Sequence, residues 1–355
     1  MNTKEYTHTI HNLPESQIEV RVEIPWTTFA PYREKALEAF AKTIEIKGFR
    51  AGKAPMDVVA SHVGEGALLE EAAKDAVAEA YDSIMKENPI RTLEYPAITI
   101  TKLAPNNPLT FTATVSILPT IELPDYKKIA HAIMSKKEAP IEATEKDVTD
   151  AIDDIRRHIA RKEHEHKHAT GEPHEHVEND KDLPLPPLTE EFVKAIGDFK
   201  DIADFKEKIR AGVLKEKNAR AKNMRRLAMG EKLVQSTKLD VPKSLVRHEL
   251  DKLETRFRHD VEHMGVALDD YLAHIKKTVD DLRKEWTDDA RKRAALQLIV
   301  STIAEKEKIS PEKEVLEKEV ASVMDQYKDA RREHVEGYVL TVLTNEKVFE
   351  FLEQQ

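Results

Sequence analysis

The sequence predicts an α+β N-terminal domain, built as an antiparallel sheet with helices and an exposed helix–loop–helix tip, followed by an elongated all-α C-terminal domain. Three observations predict it. Residues 10–24 and 98–117 alternate apolar and polar side chains with a period of two, as half-buried strands do. From residue 188 onward the apolar residues instead recur every three or four positions, the period of a helix with one buried stripe. Between the two strand regions, Ile44–Pro55 gathers two glycines, three cations and one aromatic between segments of helical period.

Composition narrows the function classes. A chain of 355 residues with 40% apolar content is long enough for about two or three domains with real cores. Charged residues make up 34% and aromatics 6%, the balance of long solvated helices more than of a β-rich enzyme. A net charge of −10 argues against general nucleic-acid binding and against DNA as a partner, so any RNA contact must come from a local patch. The absence of cysteine excludes disulfides, thiol catalysis and cysteine-ligated zinc. Met1–Glu5 has no signal-peptide core behind it and no apolar run spans a membrane, so a cytoplasmic protein is expected.

Taken in order, Ile10 and Leu13, then Ile18, Val20, Val22 and Ile24, form a hairpin broken at Pro14-Glu15-Ser16. Thr27 or Thr28 can cap the next helix, whose apolar stripe is Phe29, Tyr32, Ala36, Phe40 and Ile44. After the tip, a short helix carries Val58, Val59 and Val63 and ends at Gly64-Glu65-Gly66. A longer one carries Leu69, Ala73, Ala76, Ala80 and Ile84, its alanines implying close packing. Ile98, Ile100 and Leu103, a turn at Pro105–Pro108, and Phe111, Ala113, Val115 and Ile117 make the second hairpin. Thr144-Glu145-Lys146-Asp147 is a capping pattern for a helix over about 144–162 bearing Val148, Ile152, Ile155 and Ile159.

From Glu163 the apolar period stops, and a flexible His-rich tether is expected as far as about Pro187. The later helices carry Phe199, Ile202, Phe205 and Ile209; Leu214 to Val234; Val246 to Met264, stopped by Gly265; Leu282 to Ile303; Val315 to Tyr327 after Ser310-Pro311; and Val339 to Phe349 from about Tyr338. The resulting division is 1–125, 126–187 and 188–355.

The tip has two readings on its chemistry. Lys47, Arg50 and Lys53 around Phe49 suit an acidic, base-rich surface such as ribosomal RNA with its proteins. The plainer reading is a basic helix–helix turn whose Phe49 folds back into the core. The residue string adds to this. Gly48-Phe49-Arg50-x-Gly52-Lys53-x-Pro55 resembles the ribosome-docking signature of trigger factor, the bacterial chaperone family that meets nascent chains at the exit tunnel. Ala51 stands where some members carry a second basic residue. The order of elements through residue 125 is similar to the family's N-terminal domain, and the helices after 188 are similar in order to its C-terminal domain.

The resemblance implies ribosome docking through Gly48, Phe49, Arg50, Gly52 and Lys53 on the large subunit near the tunnel exit. It also implies shielding of nascent or unfolded polypeptides without ATP or another cofactor. In the family's usual order a prolyl isomerase domain of the FK506-binding type is inserted near residue 163. Here residues 163–187 have no β-pattern, and fewer than about 40 residues cannot bury a catalytic core unaided. A non-enzyme is therefore expected. The alternative is a free cytosolic holdase or assembly chaperone whose homodimerisation buries the tip.

Other chemistry is weighed residue by residue. His164, His166, His168, His174 and His176 alternate with acids and could chelate zinc or nickel, but no scaffold orients them and a hydrated tether is the plainer reading. No nucleophile elbow, phosphate loop, zinc-protease helix or dinucleotide fingerprint is found, and Glu70-Glu71 and Asp280-Asp281 read as solvated helix faces. Met224, Met229, Met264 and Met324 lie among charges. A minority of such residues is expected to line an adaptable surface for unfolded chains, the rest packing helix on helix.

Overall fold

The computed structural model describes residues 6–50, 52–136, 140–170 and 183–355, with 167–170 in backbone only. Its contacts divide the chain into two compact units, Met1–Pro124 with Val234–Ser310, and Asp125–Leu233 with Pro311–Gln355.

The first unit begins with β1 (Thr7–Leu13) and β2 (Gln17–Ile24), joined through Glu15 and Ser16, both at positive φ. Two consecutive left-handed residues match the twist of a tight hairpin. β3 (Ala97–Lys102) and β4 (Leu109–Ser116) complete an antiparallel sheet of order β1-β2-β4-β3. Ile18, Val20, Val22 and Ile24 of β2 and Leu109, Phe111, Ala113 and Val115 of β4 are buried on one face, so the sequence alternation maps onto the core. β3 ends in a register shift between Ile100 and Lys102, and Ile98 and Ile100 remain partly exposed on it.

Helices α1 (Trp26–Thr43), α2 (Met56–Val63) and α3 (Glu65–Glu87) accompany this sheet. Ala72, Ala73, Ala76 and Ala80 of α3 are buried in one cluster with Phe29, Ala36 and the strand side chains, the close approach that the alanines imply. Pro25, not Thr27 or Thr28, is the N-cap of α1, and no side chain caps it. The fixed φ of proline starts the helix early enough to draw both threonines into its first turn. Gly66 likewise lies inside α3, while Gly64, at φ 83°, makes the break.

The same unit holds α8 (Lys243–His263), α9 (Leu268–Ile275) and α10 (Val279–Glu307). Asp240 accepts the Ser16 amide at 2.9 Å on its carboxylate and the Ser16 hydroxyl on its backbone carbonyl. Arg247 pairs with Glu94 at 2.6 Å, and the Ser116 hydroxyl donates to the same carboxylate at 2.7 Å. Burial pushes the Glu94 carboxyl up, but the Ser116 and Arg247 hydrogen bonds outweigh it and hold it below the usual range. Phe257, Tyr271 and Trp286 stack edge to face among α8, α9 and α10. Asp281 closes a capping box with Thr278 at the start of α10, so one of the two acids at 280–281 has a structural duty.

The second unit contains α4 (Tyr126–Met134), α5 (Glu145–Thr170), α6 (Glu190–Ile196), most of α7 (Ile202–Ser236), α11 (Lys313–Gln326) and α12 (Arg332–Glu353). Thr144 and Asp147 exchange hydrogen bonds at the start of α5, as the capping pattern predicts. Val148 and Ile152 meet Val193 and Phe205 in a small core. A second cluster joins Val320 of α11 to Val335 and Val339 of α12.

Four details differ from the sequence reading. α4 falls where no helix is expected; Asp125 caps it by accepting the Lys128 amide. α5 runs on to Thr170, past the end expected near 162, because Glu, His and Lys are compatible with a helix even without an apolar stripe. Of the rest of the expected tether, 171–182 lies outside the described residues, and 183–187 carries no helix or strand but buries Leu183. The N-cap of α11 is Glu312, not Ser310-Pro311, because left-handed Lys308 closes α10 and the turn needs the following residues. α12 begins six residues before Tyr338, carried by Val335 on the buried side.

Candidate functional site

The tip is built by two consecutive turns. α1 ends at Thr43 with Ile44 extended, and the Phe49 amide then donates to the Ile46 carbonyl at 3.0 Å. The Lys53 amide donates to the Arg50 carbonyl at 2.9 Å. In each turn the third residue is glycine with positive φ, Gly48 at 95° and Gly52 at 74°, where a side chain would strain the backbone. A Cβ on Gly48 would meet no neighbour, so the demand for glycine there is conformational. The four-residue spacing of the glycines has a mechanical meaning: it sets Phe49 and Arg50 at the junction of the turns.

Phe49 is 43% exposed, which removes the reading in which it folds back into the core. Met56, at the start of α2, is exposed too. Lys47, Arg50 and Lys53 are exposed, and among the described residues no acidic side chain pairs with them. Ala51 lies outside the described residues. The base of the tip is held firmly. Arg33 of α1 grips both oxygens of Glu65 at 2.6 Å, Lys35 meets Asp75 at 2.8 Å and the Tyr32 hydroxyl donates to Glu79 at 2.7 Å. The Arg33 hydrogen bond outweighs burial and lowers the Glu65 carboxyl below its ordinary value. The arrangement presents a guanidinium, two ammonium groups and a ring on a preformed loop.

The second unit offers a different surface. On α12, Val335 and Val339 are buried while Tyr338 is 66% exposed, with Leu340 and Val342 also exposed. Met224, 59% exposed, and Leu227 lie one helical turn apart on α7. Of the four methionines singled out in the sequence, Met229 is fully buried and Met324 packs against the α11–α12 cluster; Met224 and, in the first unit, Met264 are exposed. Sequence reasoning missed Tyr338 and Val342 as surface residues, although their i, i+4 spacing off the Val335–Val339 stripe is the readable signal. α7 and α12 are clamped by Arg226, which bonds both oxygens of Glu346 at 2.6 and 2.8 Å and Glu353 at 2.6 Å. The Glu346 hydrogen bond outweighs the cost of burial and keeps the Arg226 guanidinium firmly charged.

His164 and His166 lie on α5, His168 is described in backbone only, and His174 and His176 lie outside the described residues. Among the described residues no group of three or more His, Cys, Asp or Glu side chains could hold a metal ion, and no helix is long and apolar enough to cross a membrane.

Residues 6–155 match the family model described as bacterial trigger factor protein, and residues 201–353 match the model of the same protein's C-terminus. The chain belongs to the trigger factor family. It is 22% identical to the trigger factor of Carboxydothermus hydrogenoformans over an alignment covering 90% of each protein. To the trigger factor of Caldanaerobacter subterraneus subsp. tengcongensis it is 26% identical, again over 90% of each. A solved structure from work on promiscuous substrate recognition in folding and assembly activities of the trigger factor chaperone superposes with a TM-score of 0.59. That match spans 98% of this chain and 99% of the other at 15% identity, a likeness of fold. The trigger factor models together leave residues 156–200 unmatched.

Proposed function

We propose that the chain is an ATP-independent, ribosome-associated molecular chaperone of the cytoplasm. It docks on the large subunit near the nascent-chain exit through Gly48, Phe49, Arg50, Gly52 and Lys53, and shields emerging polypeptides without prolyl isomerase activity. The observation that carries this reading is the preformed tip, with Phe49 and Arg50 exposed at the junction of two glycine turns. Cations supply the phosphate attraction, and the ring supplies a stacking or apolar contact.

In this reading residues 1–125 dock and the helices of 188–355 hold clients. Exposed Met224, Leu227, Tyr338, Leu340 and Val342 suit loose, sequence-tolerant contact, because each is apolar and stands among charges. Contacts of that kind let a client leave once it buries its own apolar surface. Residues 126–187 take the place of the isomerase domain. Support comes from the Carboxydothermus alignment, which at 391 positions is longer than this 355-residue chain, so the relative has stretches with no counterpart here.

The test is co-sedimentation with salt-washed ribosomes, comparing the natural chain with a Phe49→Ala, Arg50→Ala double variant. Saturable binding that the variant loses supports docking. Equal, negligible binding by both overturns it and leaves a free chaperone. A proline-limited refolding assay checks the second part, with no acceleration expected at any concentration of the protein.

A further inference from the structure

We infer that His259 and His263, at the C-terminal end of α8, form a two-imidazole chelate for a divalent copper- or nickel-type ion. The two residues are one helical turn apart, so both rings rise from the same face of the helix. Their Nε2 atoms are 3.1 Å apart and their ring centroids 4.3 Å apart. Both side chains are exposed, leaving an approach from solvent. His259-Asp260-Val261-Glu262-His263 also spells the H-x-x-E-H order of an inverted zinc helix. This pattern corrects the sequence reading that no zinc-protease helix is found.

The bite distance admits a single shared ion, and the affinity order of the divalent ions favours copper. With metal–nitrogen bonds of about 2.0–2.1 Å, nitrogens at this separation subtend roughly 95–102°, between the right angle of adjacent square-planar or octahedral positions and the tetrahedral angle, so one ion can bridge both rings with little movement. Tetragonal nitrogen sites favour Cu(II) or Ni(II), and copper is bound most strongly of the first-row divalent ions. In the metal-free pair one Nε2 carries the proton and donates to the other. Coordination needs both Nε2 lone pairs, so that proton moves to Nδ1 of its own ring and the pair remains neutral. Among the described residues no third His, Cys, Asp or Glu completes the set, so water fills the other positions. Without a third protein ligand, the inverted zinc-helix order here supports ion binding and no peptidase.

The assay is a Cu2+ titration of the full chain read by electron paramagnetic resonance. The competing histidines are removed first by His164→Gln, His166→Gln, His168→Gln, His174→Gln and His176→Gln together. At one equivalent of copper this chain is expected to show coupling to two nitrogens. Adding His263→Gln, or separately His259→Gln, is expected to abolish that pattern and weaken binding at least about tenfold, since losing even a supporting partner of a ligand costs that much. His274→Gln is expected to change nothing, and circular dichroism checks that each variant keeps its helices. A two-nitrogen signal that survives His259→Gln or His263→Gln, or its absence before either change, overturns the proposal.

Discussion

The sheet-and-helix core of residues 18–115 and the helices of the second unit gather their buried side chains differently. The first gathers strand residues, Phe29 and the α3 alanines into one continuous cluster. The second, among the described residues, splits its buried side chains between Val148, Ile152, Val193 and Phe205, Val320, Val335 and Val339, and a further group that includes Met229, Val348 and Leu352, and adds a charged clamp at Arg226, while Tyr338, Met224, Leu227 and Val342 face solvent. A region with one continuous core can act as a rigid platform. One that divides its core and leaves apolar side chains open keeps surface available for contact.

The contrast can be broken first at its strongest point. Phe111→Ala, deep in the sheet core, is expected to cost about 3–5 kcal/mol in denaturant unfolding, whereas Met224→Ala on α7 is expected to change stability by less than about 0.5 kcal/mol. Arg226→Ala takes the guanidinium from Glu346 and Glu353 and leaves them only the more distant Lys222, at 3.9 and 3.5 Å, and a loss of about 2 kcal/mol is expected in the same measurement. Gly48→Ala puts a side chain at φ 95° and is expected to cost about 1–2 kcal/mol locally. Hydrogen exchange at the tip amides would read that loss.

A smaller effect is expected from acid. Lys217 first, then Thr144, hold the Asp147 carboxyl down to about 2 from an ordinary 3.8. A carboxyl with a lower value folded than unfolded stabilises the fold above the ordinary value and loses that contribution as pH falls toward the folded one. Asp147→Asn should therefore flatten the stability profile between those two values and lower stability at neutral pH. Smallest of all on stability, Phe49→Ala should shift unfolding by less than about 0.5 kcal/mol while ribosome co-sedimentation falls sharply.

What could be read from the sequence follows the same division. The strands were legible because a period of two leaves one face for the core, and Ile18–Ile24 and Leu109–Val115 follow it without exception. The tip was legible as a string, but not why its glycines are four apart, since that depends on two turns ending at Phe49 and Lys53. The helical part was legible in period and obscure in limits. α4 is short and its burial depends on packing with α12, and α5 continues without an apolar stripe. Nor does helical period reveal that Asp240 and Arg247 bond to the β1–β2 turn and the segment before β3. Such pairings depend on partners more than a hundred residues away.

The register shift at the end of β3 has a consequence for aggregation. β3 is one of the sheet's two outer strands, β1 being the other, with Ile98 and Ile100 partly exposed on it. An unfolded chain seeking a partner strand would find a ready template there. The irregularity at Ile100/Lys102, ending in a lysine, shortens the regular edge and puts a charge at its end. Strand-by-strand growth along β3 then has little to extend, which guards this edge against edge-to-edge aggregation.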